Sequence, residues 1–392
     1  MRVSGIVVAV LTALFAAPAW AQEDAQPVQD DYQDYLGLGT KQFKVRGRMG
    51  TEIWFDNNIL LTDKKEIDDI VVVLQPELNV RFDHGQDYVK LDYRGRDRIY
   101  TDNDDFNGME HYLNGMVHFK IDKFYVDLSD DYANRRDPFN NLQIQDKLVT
   151  LQNDARFLVG GDFDKFDLEL SVGIRRFEIF DPLFDLFDHR RWDVGFTGFF
   201  DIMPKTQALI EYGYTNTEYD DEQVDNFITH RFLAGIKGTP SAKIRTTTKI
   251  GVVRVIADDR NNFDDTDDKT DLYVGLALDW DVTSNGTLSL GLVRQPVESI
   301  FTGIAITTRF DMGYKHKFNE RISGKMGLYY ETITESKGGE DRWGWGLSGG
   351  VSYKVGRHLH LDLWGEYRAK RSDDDNFEFD NMRGYFGAGL DF

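Results

Sequence analysis

The sequence predicts a transmembrane antiparallel β-barrel of about eighteen strands, and three observations carry this prediction. Segments with alternating apolar and polar residues recur along the chain from residue 43 onward. The links between these segments alternate between tight turns and longer acidic stretches. The chain also ends inside an alternating segment, GYFGAGLDF (384–392), whereas soluble domains usually end in a few polar residues because untied termini fray.

The composition agrees with a membrane barrel, although the mean hydropathy is only -0.47. Lipid-facing and lumen-facing residues alternate along a membrane strand, so their hydropathies average out. The net charge of -21 would also suit an acidic disordered chain, but such chains are poor in aromatic residues, which make up 14% of this one. The chain has no cysteine, so disulfides and thiol chemistry are excluded.

The amino-terminal segment has the features of a secretory signal. Arg2 precedes a short apolar run, and Ala19-Trp20-Ala21 has the small-x-small form of a cleavage site. The alternative, a retained membrane anchor, would require roughly 20 apolar residues, and the run is shorter. We therefore expect residues 1–21 to be a signal peptide, 22–42 a flexible periplasmic leader and 43–392 the barrel.

Alternating segments can be assigned throughout the predicted barrel, and most reach the roughly 9–11 residues that a tilted membrane strand requires. Strands of a soluble sandwich also alternate, but they are usually only about 5–6 residues long. The count is eighteen, or sixteen if the segments 124–130 and 287–295 are not strands. The predicted strands are 43–55, 70–82, 87–101, 109–121, 124–130, 151–162, 166–178, 189–202, 205–219, 226–238, 242–256, 270–281, 287–295, 304–318, 321–335, 342–354, 358–370 and 377–392.

The connectors give the barrel its predicted orientation. Tight links such as DHGQ (83–86) and NE (319–320) alternate with long acidic ones such as RSDDDNFE (371–378). Outer-membrane barrels combine short periplasmic turns with long extracellular loops, so both chain ends lie on the periplasmic side. The longest predicted connector runs from Asp131 to Thr150. We expect it either to cap the outside or to fold inward as a constriction, which would place its residues Arg135 and Arg136 in the pore.

The last predicted strand must pair with the first, because an open sheet edge in lipid leaves backbone groups without hydrogen-bond partners. Its outward face carries Phe386, Leu390 and the terminal Phe392. This pattern resembles the insertion signal read by the outer-membrane barrel assembly machinery. We therefore expect the outer membrane of a Gram-negative (diderm) bacterium, with the assembly machinery, membrane lipids and lipopolysaccharide as partners.

Charged residues share one face of the predicted strands. A cation at the bilayer midplane costs ~2–4 kcal/mol, so this face must line the lumen. Arg94, Arg96 and Arg98 occupy every second position of one strand and form a ladder on its inner face. The guanidinium group of arginine presents several N–H donors in a fixed fork, which suits carboxylate or phosphate groups. The alternative is that inward acids pair with these cations as wall structure alone. The candidate contacts for an anion or polymer are Arg46, Arg48, Arg81, Arg94, Arg96, Arg98, Arg245 and Lys249.

Metal binding has two sets of candidate ligands. Acidic loop clusters such as Asp373-Asp374-Asp375 could hold Ca²⁺ or Mg²⁺, but no spacing matches an EF-hand loop, and solvated loops are the preferred interpretation. His358 and His360 share the predicted lumen face, but the sequence offers no third ligand. We predict no metal site and no cofactor, with loop-bound Ca²⁺ or Mg²⁺ as the alternative.

Three segments resemble one known family. Residues 54–82 join an aromatic-Asp-Asn-Asn start to a strand with Leu-x-Pro-x-Leu, and HRFLAGIKGTPSAKIRTTTKIGV (230–252) and YFGAGLDF (385–392) follow later. They resemble the putative β-barrel porin 2 type of outer-membrane barrels. The resemblance implies an outlet for exopolysaccharide or capsular polysaccharide, assisted by periplasmic export components, and it implies no catalytic residues.

Three functions differ in what they require of the chain. A polysaccharide outlet is the first interpretation, because an anionic polymer suits a basic ladder. The alternative is a general or substrate-specific diffusion porin, which steady conductance would reveal. An outer-membrane lipase or protease would need a positioned catalytic set. Asp188 and His189 are adjacent, but no nucleophile pattern accompanies them, so we predict no enzyme and no nucleic-acid partner.

Overall fold

The structure, a computed structural model, describes residues 42–63, 66–138, 147–222, 224–258, 268–299, 303–335, 341–372 and 378–392. Among these residues, no helix is long and apolar enough to span a membrane. The predicted signal peptide lies outside the described residues, as does the leader up to residue 41, and both stay predictions.

Eighteen antiparallel strands form one closed barrel. Each strand pairs with the next along the chain, and the last strand pairs with the first. The predicted eighteen-stranded barrel is confirmed, and the segments 124–130 and 287–295 both belong to strands. The strands are β1 (Phe43–Asp56), β2 (Asp69–His84), β3 (Asp87–Tyr100), β4 (Gly108–Ile121), β5 (Phe124–Pro138), β6 (Lys147–Phe163), β7 (Phe166–Ile179), β8 (His189–Met203), β9 (Thr206–Tyr219), β10 (Asn226–Ser241), β11 (Ile244–Asp258), β12 (Lys269–Thr283), β13 (Gly286–Ser299), β14 (Gly303–Lys317), β15 (Ile322–Glu335), β16 (Arg342–Lys354), β17 (Leu359–Ser372) and β18 (Phe379–Asp391).

The tight turns and the long connectors lie at opposite ends of the barrel. Gly85, Asp122 and Asp164 sit in tight turns with positive φ angles of 67°, 53° and 65°. Two-residue hairpin loops favour this left-handed conformation, because its twist matches that of the flanking strands. At the other end, among the described residues, two connectors each contain a single 3₁₀ turn, at Asp104–Phe106 and Asp185–Phe187.

Side chains alternate between an apolar outer face and a polar inner face. Along β1, Met49, Ile53 and Phe55 point outward and are 47%, 44% and 64% exposed on the isolated chain, whereas the inward Trp54 is 8% exposed. A strand has a side-chain period of two, so one face meets lipid and the other the lumen. This alternation places the predicted charged residues inside the barrel.

The outer face of β5 departs from this apolar pattern. Phe124 and Leu128 point outward, and Asp130 continues the same face. Its cross-strand neighbours are the small residues Gly115 and Ala155. Asn153 Nδ2, on the adjoining β6, donates a 3.1 Å hydrogen bond to the Asp130 carboxylate. The apolar band of the wall is therefore interrupted by a hydrogen-bonded polar pair.

Candidate functional site: the lumen wall and an inward-folded connector

The predicted arginine ladder lies on β3, facing inward. Arg98 Nη1 forms a 2.9 Å ion pair with Glu110, which is fully buried. Arg96 is 8% exposed, and its Cζ lies 5.4 Å from the ring centre of Trp54. Arg94 Cζ lies 4.7 Å from the ring centre of Tyr112. The three guanidinium groups are thus held against the wall by a carboxylate and two rings.

The predicted cations of β1 and β2 are also paired. Arg46 Nη2 lies 2.8 Å from the Asp391 carboxylate of β18. Arg81 Nε donates a 2.6 Å hydrogen bond to Asp83. These pairs contribute to the cohesion of the wall near the strand ends.

Arg48 lies between an acid and an imidazole. Its Nη1 is 3.9 Å from the Glu77 carboxylate, and its Nη2 is 2.6 Å from His360 Nε2. His358 Nδ1 instead lies 2.9 Å from the backbone oxygen of Asp391. His360 Nδ1 also lies 3.6 Å from the Asp391 carboxylate, so both histidines contact Asp391.

A second cationic group lies on β10 and β11. Lys249 Nζ and Arg231 Nη2 lie 2.6 Å and 3.0 Å from the two carboxylate oxygens of Glu211 on β9. Arg245 lies 3.1 Å from Asp281 and is about half exposed, at 49% of its side-chain surface. The wall-structure interpretation therefore has direct support in the contacts of these cations, and contact with a transported anion stays a prediction.

The structure corrects the prediction that Asp131–Thr150 is one long connector. Residues 131–138 continue β5 and residues 147–150 begin β6, with Arg135 opposite Thr150 and Arg136 opposite Val149. The stretch DDYANRRD carries charges on both faces of a strand, so it does not show the alternation that marked the other strands. Only residues 139–146 separate the two strands, and they lie outside the described residues.

The two arginines assigned to the constriction have structural contacts in β5. Arg136 Nη2 donates a 2.8 Å hydrogen bond to the backbone oxygen of Asp105, and Nη1 donates to the backbone oxygen of Asn107. Arg135 Cζ lies 5.7 Å from the ring centre of Tyr112. Arg136 thus fixes the connector between β3 and β4. Arg135 and Arg136 are both residues of strand β5.

A different connector folds into the lumen, and the sequence reasoning missed it. Residues Asn57–Thr62, here called the inner hook, follow β1. Its three apolar side chains, Ile59, Leu60 and Leu61, are only 3%, 4% and 7% exposed. Ile59 and Leu60 belong to one apolar cluster with inward side chains of β1, β2 and β3, including Trp54, Val73 and Tyr100. The available signal was the apolar run ILL inside a polar connector.

Side-chain hydrogen bonds hold the inner hook to β18. Asn58 is fully buried, and its Nδ2 donates to the backbone oxygens of Thr62 and Asp380 at 2.7 Å and 2.9 Å. Its Oδ1 accepts from the Thr62 backbone N–H at 3.0 Å. Asn381 Nδ2 donates to the Asn58 backbone oxygen at 3.2 Å and to Asp56 at 2.6 Å. The hook is therefore fixed across the junction of β1 and β18.

Two guanidinium groups lie beside the tryptophan on which the inner hook packs. The Cζ atoms of Arg96 and Arg383 lie 5.4 Å and 5.2 Å from the Trp54 ring centre. Tyr385 stacks on the same ring with 5.4 Å between centroids. Arg383 also forms a 3.0 Å ion pair with Glu366. An apolar segment and a pair of cations thus meet around one aromatic ring inside the barrel.

The residues assigned to the insertion signal lie on the outer face of β18 and at the carboxyl terminus. Phe386, Leu390 and Phe392 are 53%, 50% and 62% exposed, as lipid-facing residues should be. Recognition of these residues by the assembly machinery stays a prediction.

The predicted metal ligands fall partly inside and partly outside the described residues. In the described part of the chain, no group of three or more His, Cys, Asp or Glu side chains could hold a metal ion. The loop acids at 259–267 and 373–377 lie outside the described residues, so loop-bound Ca²⁺ or Mg²⁺ stays untested there.

Comparison with protein families gives one match. Residues 272–392 match the family described as Putative beta-barrel porin 2. The resemblance recognised in the sequence is therefore confirmed for residues 272–392, which contain the closing segment YFGAGLDF. The comparison with curated proteins gave no match.

Solved outer-membrane proteins share the fold. OccK2 (OpdF) of Pseudomonas aeruginosa, solved in complex with glucuronate, aligns with a TM-score of 0.50 and 11% identity over 89% of this chain and 98% of its own. OccAB3 of Acinetobacter baumannii aligns with a TM-score of 0.50 and 9% identity over 89% and 99%. The protein is an outer-membrane β-barrel of a Gram-negative bacterium. The comparisons lend no support to polysaccharide export.

Proposed function

We propose that the protein is a solute-selective diffusion channel for small organic anions. The observation that carries the proposal is the inward position of the inner hook above Trp54, with Arg96 and Arg383 beside the same ring. A buried segment inside the barrel narrows the passage, and guanidinium groups favour carboxylates over cations and neutral solutes. The inward fold of the hook also speaks against a wide outlet for a polymer.

Ion pairing within the wall does not oppose this function. A solute carboxylate can replace a wall carboxylate as the partner of an arginine, because the arginine stays paired while the displaced wall carboxylate is hydrated by the water of the lumen. Contacts of this kind are individually weak in a water-filled site, where a salt bridge contributes about 0–1 kcal/mol. Weak and repeated contacts suit a channel, which must also release what it binds.

The test is the charge selectivity of the purified protein in a planar bilayer. We expect a steady conductance and, under a KCl gradient, a reversal potential that corresponds to a preference for chloride over potassium. A preference for potassium, or a membrane without conductance, would contradict the proposal.

A further inference from the structure

The inner hook has the properties of a fixed element of the barrel. Its residues Asn58–Thr62 are at most 7% exposed, which is the burial of a protein core. Such burial at the mouth of a barrel requires that the segment pack against lumen-facing side chains, as it does against Trp54, Val71, Val73 and Tyr100. A segment packed this way occupies cross-section that would otherwise belong to the passage.

The anchor of the hook consists of two fully buried asparagine side chains, Asn58 and Asn381. Asn58 uses both of its amide hydrogens and its amide oxygen in hydrogen bonds. Asn381 is also fully buried, accepts from Arg368 Nη2 at 3.1 Å and donates to the hook backbone. Removing one partner would leave buried polar groups unsatisfied, which destabilises the inward position of the hook.

The backbone of the hook is also specific. Leu61 adopts a φ of +56°, in the left-handed region that residues other than glycine rarely occupy. Its N–H donates to the Asn58 backbone oxygen at 3.2 Å, and the Ile59 N–H donates to the Ile67 backbone oxygen at 2.9 Å. A leucine keeps this conformation only where the surroundings determine it. Within this tight turn Leu60 and Leu61 are 4% and 7% exposed, and Leu60 belongs to the apolar cluster around Trp54.

From these contacts we infer that the inner hook sets the size limit of the channel, and that Asn58 and Asn381 are the residues that position it. The inference rests on the proposed function and deepens it by separating two tasks. The apolar hook limits the size of the solute, and the guanidinium groups of Arg96 and Arg383 select its charge. Changes to the hook then alter the size limit and leave the sign of the charge preference unchanged.

The experiment compares the variants Asn58→Ala and Leu60→Ala with the unchanged protein. Liposome swelling with neutral sugars of increasing size measures the size limit, and single-channel conductance measures the open cross-section. We expect both variants to pass larger sugars and to conduct more current. The matched controls are Asn216→Ala and Leu183→Ala, since Asn216 lies on the outer face of β9 and Leu183 is 76% exposed in another connector.

Labelling of single cysteines gives a second readout that does not depend on conductance. The chain has no cysteine, so Leu60→Cys introduces a unique thiol. We expect this thiol to resist a polar maleimide in the folded barrel and to react once Asn58→Ala is added, whereas Leu183→Cys reacts in both backgrounds. Rapid labelling of Leu60→Cys alone would contradict the buried hook. Folding of each variant is checked by its heat-modifiable gel mobility.

The outcomes separate this inference from the proposed function. Folded hook variants with an unchanged size limit and a preserved preference for anions would overturn the role of the hook alone. A larger size limit without any preference for anions would support the hook and overturn the anion channel.

Discussion

The backbone of Phe392, the last residue, exchanges two hydrogen bonds of 2.9 Å with the backbone of Gly47 in the first strand. The Phe392 ring lies over Gly47, where any β-carbon would overlap it. The absence of a side chain at position 47 therefore lets the terminal aromatic residue lie flat on the outer wall. Residues 345 positions apart in sequence thus fix the register in which the barrel closes.

Replacing this glycine tests the closure directly. We expect Gly47→Val to lower the fraction of chains that reach the closed barrel, because the valine side chain excludes the Phe392 ring. The fraction can be measured as the heat-modifiable band on a gel. Gly115→Val is the control, since a β-carbon at this other outward glycine meets only ordinary contacts, the nearest at 3.9 Å. Equal folding of the two variants would contradict this role of Gly47.

Arg383 is expected to contribute to charge selection. Arg383→Gln removes one of the two cations beside Trp54 and keeps hydrogen-bonding capacity toward Glu366. We expect the permeability ratio of chloride to potassium to fall, as measured by the reversal potential. Lys123→Gln removes the same charge from a periplasmic turn, so it should leave the ratio unchanged. An equal fall of the ratio in both variants would indicate that the net charge of the protein, and not the position of Arg383, sets the chloride preference.

Glu211 is expected to oppose anion selectivity. It neutralises both Arg231 and Lys249, so Glu211→Gln leaves two lumen cations without a carboxylate. We expect a higher chloride-to-potassium ratio together with a loss of stability of about 1–3 kcal/mol. Glu218→Gln on the outer face of β9 serves as the control and should leave the ratio unchanged. A lower ratio in Glu211→Gln would contradict the inward placement of this cluster.

Replacing Asp130 by valine and replacing its chain neighbour Asp131 by valine should change the free energy of unfolding in opposite directions. Asp130 points outward, so Asp130→Val should raise the free energy of unfolding in lipid by about 1 kcal/mol by removing a charge from an apolar surface. Asp131 points inward and accepts a hydrogen bond from Asn114, so Asp131→Val should lower the free energy of unfolding. Urea titration in phospholipid vesicles measures both. Destabilisation by Asp130→Val would contradict this expectation and indicate that the hydrogen bond from Asn153 outweighs the cost of the outward charge.

The faces of the strands could be predicted from the sequence because a strand has a side-chain period of two. Alternation assigned Arg94, Arg96 and Arg98 to the lumen, where the structure places them. The same rule failed at Arg135 and Arg136, because the outer face of β5 carries Asp130 and other polar residues and the alternation disappears. A rule based on lipid-facing hydrophobicity cannot recognise a strand whose lipid face is polar.

The inner hook could not be predicted because its position depends on a distant partner. Asn58 binds the backbone of Asp380 and receives a bond from Asn381, more than three hundred positions later in the chain. The run ILL marks apolar residues in a connector, but it does not say what covers them. Only the closed barrel brings β18 beside β1 and supplies the buried site into which the connector folds.

The most direct measurement of the central claim is the rate at which glucuronate and glucose enter liposomes that contain the protein. The two solutes have nearly the same size and ring, and they differ in one carboxylate. An anion-selective channel predicts faster entry of glucuronate, with the difference reduced in Arg383→Gln. Equal rates, or faster entry of glucose, would contradict it.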